Sequence, residues 1–218
     1  MGMRWLILVV VAAGCSRVER GGTRGEARAA VPAPSVEVRE VVTVAPGDTL
    51  SRFAKERYGS EHYAGVIALA NRLPAGDLIE VGRELELPEL AALVQREHSG
   101  KAAEAFALVA SAHRSYRAVE PALWQRPAGE VPAEIGARLD AAARELEDAA
   151  SALAGVGQAV PRSTMGQLRG AAGLLREAKG PIPGGGAHTA YTYALSDAHR
   201  RLALGIQYGI VWARAGYR

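Results

Sequence analysis

The chain has 218 residues, 49% apolar and 22% charged, the balance of a folded chain rather than a disordered one. Its formal charge of +3 is too small to make nucleic acid a principal partner. A single cysteine excludes an internal disulfide framework and a four-thiolate zinc site. Aromatics at 6% beside 25 glycines point to a core of Leu, Val and Ala, which suits close-packed helices.

Residues 1–14 place Arg4 ahead of an apolar run from Trp5 to Ala13 and then Gly14, the pattern of an export signal. The run is too short to cross about 30 Å of hydrocarbon as a retained helix. Val11-Ala12-Ala13-Gly14-Cys15 resembles the lipobox of bacterial lipoproteins, with Ala12 where that family more often has Leu. The resemblance implies cleavage before Cys15, acylation of its thiol and amine, and stable attachment to a membrane. The alternative is an ordinary signal followed by an incidental cysteine. Ser16 in place of Asp implies, by the same resemblance, the outer membrane of the bacterial envelope, with the protein facing the periplasm. Residues 15–40 mix Gly, Pro, Ala and alternating charges without an apolar period and read as a tether, with a root-mean-square reach of about 25 to 30 Å.

Residues 41–88 change character. Val42 and Val44 flank Thr43 as a short strand, and Pro46-Gly47-Asp48 makes a turn. Asp48 is placed to cap the helix that follows. That helix carries Leu50, Phe53, Ala54 and Tyr58 at helical spacing and ends at Tyr58-Gly59-Ser60. A second helix fits His62 to Asn71, with Tyr63, Val66, Ile67 and Ala70 on one stripe. A loop from Arg72 to Gly82 leads to a second alternating strand, Arg83 to Leu87, closed by Pro88. The order is β-α-α-β.

Three stretches of this segment, VTVAPGDTLSRFAKERYG at 42–59, IALANRL at 67–73 and DLIEVGRELELP at 77–88, resemble the LysM (lysin motif) family of glycan-binding modules. Departures are Val42 where an aromatic is frequent, Phe53 where Ile is usual, and Val81 and Arg83 where Pro and Gln are common. The resemblance implies a shallow groove for polymers containing N-acetylglucosamine, such as peptidoglycan. Its walls would be the loop Gly47, Asp48, Thr49, Leu50 and the loop Leu73, Pro74, Ala75, Gly76, Asp77, Leu78, Ile79. From the residues themselves, Gly47 and Gly76 remove bulk so that a sugar can approach the backbone. The helix N-terminus near Thr49 offers amide donors to acetamido carbonyls. Leu73, Leu78 and Ile79 supply apolar contact, although Ile79 suits the core equally and Gly47-Asp48 suits a plain capped turn.

Residues 89–218 are rich in Ala and periodic in Leu. Ile135, Leu139, Ala142, Leu146, Ala149 and Leu153 step by 4-3-4-3-4 after Pro132. Thr164 and Gln167 suggest a capping box before Met165, Leu168, Ala172 and Leu175. A long helical pattern runs from Glu89 through Phe106, Val109, His113 and Tyr116, with a break at Gly100. The last helix spans about 189–215 and uses Leu195, Ala198, Leu202, Ile206, Gly209 and Trp212. The expected fold class is α+β, a small β-α-α-β module followed by an all-α antiparallel bundle of four or five helices.

Residues 89–160 hold 7 basic and 10 acidic side chains, and 161–218 hold 8 basic and 2 acidic. Either these are complementary faces of one bundle, or Arg162, Arg169, Arg176, Arg200 and Arg201 form a basic face for an anionic partner. His188 and His199 are eleven residues apart, with no third ligand at metal spacing. Gly205 and Gly209, four apart, suit close helix contact in a soluble bundle better than a membrane span. No thiol nucleophile, closely spaced histidine pair or G-x-S-x-G occurs in the folded part, and Glu104, Glu120 and Glu134 lack a lytic context. The expectation is therefore a non-enzymatic lipoprotein that binds peptidoglycan, without cofactor or metal. The alternative is an accessory subunit whose bundle docks an envelope protein while the module only localises it.

Overall fold

The computed structural model describes residues 40–74, 79–156 and 160–216. The signal, Cys15 and nearly all of the tether lie outside the described residues. Among the described residues two strands and seven α-helices are formed: β1 (Glu40–Thr43), α1 (Leu50–Tyr58), α2 (Ala64–Ala70), β2 (Glu84–Leu87), α3 (Leu90–Glu97), α4 (Gly100–Trp124), α5 (Ala133–Ala154), α6 (Arg162–Glu177) and α7 (Gly186–Arg214). The chain is mostly helical with one small antiparallel sheet, an α+β arrangement in the order expected.

β1 and β2 pair with Val42 opposite Leu85 and Thr43 opposite Glu84. Above this ribbon α1 buries Leu50, Phe53, Ala54 and Tyr58, one face at helical spacing. It stops at Gly59, whose φ of 85° supplies the left-handed C-terminal turn. The second helix is shorter than the pattern suggests. Its first turn, Glu61–Tyr63, is a 3₁₀ turn capped by the Ser60 hydroxyl, and α2 follows.

The bundle is up-and-down. Contacts between α4 and α7 pair Phe106 with Gly209, Tyr116 with Leu195 and Glu120 with His199, so the two helices run in opposite directions. Ion pairs join Glu147 of α5 to Arg176 of α6 and Asp140 of α5 to Lys179 in the turn after α6, again antiparallel. At one end the α4–α5 and α6–α7 loops are tied by reciprocal bonds between Gly129 and Ile182, at 2.9 and 2.8 Å. Every position of the α5 seam from Ile135 to Leu153 is buried. The Thr164–Gln167 capping box does not form: α6 begins at Arg162 directly after Pro161, which holds the N-cap place, and Thr164 is buried inside the first turn. Acidic α5 against basic α6 accounts for part of the charge asymmetry as complementary faces, with Lys179 holding Asp140 below its usual pKa.

The β-α-α-β segment and the bundle share one hydrophobic core. Gly205 and Gly209 serve helix contact: a Cβ on Gly205 would lie 2.8 Å from Leu168 Cδ2 of α6, and one on Gly209 would lie 2.1 Å from Phe106 Cζ of α4. No helix among the described residues is long and apolar enough to cross a membrane. Between α3 and α4 the chain turns at His98, which stacks on Phe106 at 4.1 Å. Burial pushes its pKa down to about 4.

Gly209→Ala should therefore cost about 1 to 3 kcal/mol in urea unfolding, because the fully buried Phe106 has to move. Gly173→Ala, mid-helix in α6 with open space around its Cβ, should be neutral or stabilising by up to about 1 kcal/mol. A pH effect also follows from His98. Its folded pKa lies below the ordinary 6.5, so the unfolded chain takes up the proton first and stability falls as pH drops from about 6.5 toward about 4. The loss from this group alone is on the order of 3 kcal/mol. Unfolding of His98→Phe measured at pH about 7 and about 5 should show a smaller fall than the parent.

A candidate cleft between two turns

The first turn is built from Ala45 to Asp48. The Asp48 amide donates to the Ala45 carbonyl at 3.1 Å, and Gly47 in third place has φ 85°, the form of a type II turn with Pro46 in its favoured second place. The second turn repeats it. The Arg83 amide donates to the Glu80 carbonyl at 3.2 Å, and Gly82 also has φ 85°. Between them the Val44 amide donates to the Arg83 carbonyl at 2.9 Å and the Gly82 amide to the Val44 carbonyl at 2.8 Å. The strand ladder thus runs on beyond β1 and β2 and sets the two turns side by side. A Cβ at Gly47 or Gly82 would meet nothing within 4 Å, so it is the left-handed backbone, not crowding, that asks for glycine there.

Asp48 does not cap α1. Its Oδ2 accepts from the Ala45 amide at 2.9 Å, closing the turn on itself, and its other oxygen pairs with Arg52. The cap is Thr49, whose hydroxyl accepts from the Arg52 amide at 3.1 Å. Ala45, Pro46, Gly47 and Thr49 are exposed and Asp48 is half-buried. Leu50 is only 1% exposed and faces the core with Phe53 and Ala54, so its side chain is not part of the cleft wall.

The loop that follows α2 leaves the helix by a Schellman motif. The Leu73 amide reaches the Ala68 carbonyl at 2.8 Å and the Arg72 amide the Leu69 carbonyl at 3.1 Å. Arg72 occupies the left-handed position with φ 54°, where glycine would be usual. Leu73 and Ile79 both pack partly against the core, while Pro74 is exposed. Ala75, Gly76, Asp77 and Leu78 lie outside the described residues. The anchor of this loop is a residue that periodicity alone did not single out. Asn71 Nδ2 donates to the carbonyls of Ile67 at 2.9 Å and Glu86 at 2.8 Å, and its Oδ1 accepts from the Glu86 amide at 2.8 Å. Its side chain therefore acts as one further strand residue against β2. The Ala-Asn pair within IALANRL was the available signal.

Behind the cleft, a polar and aromatic joint fixes the segment to the bundle. Tyr58 donates to the Pro88 carbonyl at 2.6 Å, and His113 Nε2 of α4 lies 3.3 Å from the Tyr58 carbonyl oxygen. Tyr63 packs edge-on to His113 and His199, and its hydroxyl lies 3.5 Å from His199 Nδ1. His199 Nε2 lies 2.9 Å from Glu120 Oε1. Glu120 also accepts from Arg117 and from Trp124, each at 2.9 Å. Burial pulls the Glu120 carboxyl up, yet contacts with His199, Trp124 and Arg117 together bring it down to about 2. Further along α7, His62 Nε2 lies 3.2 Å from Ser196 Oγ, and Arg214 donates to the Leu69 carbonyl at 2.8 Å. Among the described residues no three His, Cys, Asp or Glu side chains converge as a metal site, and His199, considered above as a ligand, is spent on Glu120. None of the described hydrogen bonds or ion pairs of the bundle reaches the exposed first turn.

Asn71→Ala removes three hydrogen bonds and leaves Glu86 backbone groups without that partner, so it should cost about 1 to 3 kcal/mol in urea unfolding. Amide exchange should then quicken at Glu86 first. No family model, curated protein or solved structure matches this chain.

Proposed function

We propose that the chain is a non-catalytic, lipid-anchored envelope protein that binds peptidoglycan, holding N-acetylglucosamine-containing glycan at the cleft of a lysin-motif module. The observation that carries this reading is the pair of type II turns, pinned side by side by Val44, Gly82 and Arg83, on a face that the bundle's described bonds do not reach. Exposed peptide groups beside small residues suit a polar ligand with acetamido branches better than an apolar one. The lipobox-like sequence ending at Cys15 and the tether behind it would place such a module near a membrane and within reach of a wall polymer.

The chemistry of the joint favours binding over cleavage. A glycosidase acid needs a raised pKa, whereas the partners of Glu120 hold it down at about 2. Ser196 faces His62, but it sits in the interior of α7, where backbone amides are committed to the helix and offer no oxyanion donors. A second reading, a scaffold whose bundle docks an envelope protein, draws on Tyr208 and Val211, exposed one turn apart on α7.

The test uses substitutions in the exposed turns, because removing residues 41–88 would also strip the bundle of part of its shared core. Gly47→Asn keeps a residue that tolerates a left-handed backbone and adds a side chain at the cleft lip. Combined with Pro74→Arg, it should lower retention of the full chain on purified sacculi about tenfold or more while leaving helix content unchanged, a loss equivalent to roughly 1.4 kcal/mol. Equal retention of parent and variant, or no retention of the parent, would reject the glycan reading.

A further inference from the structure

At the other end of α1 a second recess opens between the β-α-α-β segment and α4. It has a volume of about 200 Å³, and three arginines contribute to its lining, Arg57 from α1 and Arg114 and Arg117 from α4. The carboxylate that shares the lining is Glu89. Like charges repel, and a fold gathers three of them around one hollow only where something offsets them. Two have partners outside the lining: Arg57 lies 3.2 Å from Glu40, and Arg117 lies 2.9 Å from Glu120. Arg114 is exposed and makes no ion pair among the described residues.

Arg117 is held in place by more than its carboxylate. A Cβ on Gly59 would lie 2.1 Å from the guanidinium carbon, so the group lies against the bare C-terminal turn of α1. Glycine at φ 85° therefore serves two ends there, the turn and the seat of Arg117. An arginine fixed in this way keeps its fork of N–H donors oriented before any ligand arrives. His113 forms part of the wall, and burial pushes its pKa down to about 3. At neutral pH the positive charge of the recess is thus that of its arginines.

The lining also has a small apolar part, Leu90 and Ala91 of α3 and Ala110 of α4. A bare inorganic anion would leave that apolar part uncovered. An organic carboxylate with a short aliphatic part would cover it, with its oxygens toward the arginines, and an amide N–H of the same ligand could meet Glu89 at the edge.

We propose that this recess binds the free carboxylate end of a short peptide with small side chains, with Arg114 and Arg117 as the principal contacts and Arg57 as a third. The site is distinct from the glycan cleft and stands whether or not sugar binds there.

Calorimetric titration of the full chain with N-acetyl-alanyl-alanine, in either chirality, against its C-terminal amide and against inorganic phosphate tests the assignment. The acid should bind, and the amide should bind about tenfold or more weakly, since it forfeits a charge-assisted pair. Arg114→Gln, at an exposed side chain that no described ion pair needs, should weaken the acid by about the same factor, and Arg57→Gln should weaken it as well. Arg162→Gln, an exposed arginine of α6 outside the recess, should leave it unchanged. Equal binding of acid and amide, binding unaffected by Arg114→Gln, or no binding of either chirality would overturn the proposal. Phosphate that binds as tightly as the peptide acid would reduce the recess to a simple anion site and overturn the peptide assignment. Retention on sacculi is a separate readout, so failure of one site does not imply failure of the other.

Discussion

Tyr58 and Tyr63 leave water completely where α1 and the following 3₁₀ turn meet α4 and α7. Burying two phenols is favourable for their rings and costly for their hydroxyls, and the cost is offset where each hydroxyl finds a polar partner. Tyr58 donates to the Pro88 carbonyl, and the Tyr63 hydroxyl lies 3.5 Å from His199 Nδ1. That second partner brings an obligation of its own, since His199 lies buried against Glu120, which needs Arg117 and Trp124. One packing decision therefore propagates through five polar groups. Removing any one would leave a buried neighbour without its partner, and this linkage is why a four-stride segment with a two-stranded sheet stands as part of a larger body.

The same joint positions both candidate sites. α1 carries Thr49 and the first turn at its N-terminal end and Arg57 with the arginine recess at its C-terminal end. Because Tyr58 and Gly59 lock that end against α4, the orientation of the helix is fixed by the joint, and its other end inherits that orientation. Asn71 does the equivalent for the second loop by tying the end of α2 to β2. The described parts of the two loops are thus carried on elements whose ends are pinned.

Much of this was legible from local spacing. The 4-3-4-3-4 seam of α5 is buried throughout because a repeat near 3.5 residues keeps one face turned inward. Gly59 and Gly100 punctuate helices where expected, since few residues other than glycine adopt positive φ without strain. The misreadings share a physical cause. Asp48 and Thr49 are both good caps, and the choice between them is settled by the turn, which needs Asp48 to bond back to Ala45. The LysM resemblance implies Leu50 in the groove wall, but its side chain begins the buried stripe with Phe53 and Ala54. Thr164 looked like a cap because its spacing to Gln167 fits one, while Pro161 starts the helix earlier. The joint was invisible for another reason. Contacts such as Tyr63 with His199 join residues 136 apart, and no local period encodes a pair at that separation. His113, Glu120 and His199 read singly as polar residues on helix faces, and only the fold makes them one cluster.

Geometry also relates the two sites to each other. α1 has nine residues, so at about 1.5 Å per residue its ends stand roughly 13 Å apart. If both proposed sites are real and open on one side, a ligand that carried both an aminosugar and a short peptide with a free carboxylate would need to span about that distance to touch the turn and the recess together. Each contact alone is shallow or small, but the second would form intramolecularly, at an effective concentration set by the linkage between sugar and peptide rather than by bulk solution. The rigidity of the joint matters here. Were the segment free to swing on the bundle, Arg57 would move relative to Arg114 and Arg117, and the recess would not persist to be filled. Holding α1 fixed therefore favours two-point binding through the entropy already lost on folding, and places the energetic origin of any such avidity in Tyr58, Tyr63 and Gly59 rather than in either ligand-facing surface.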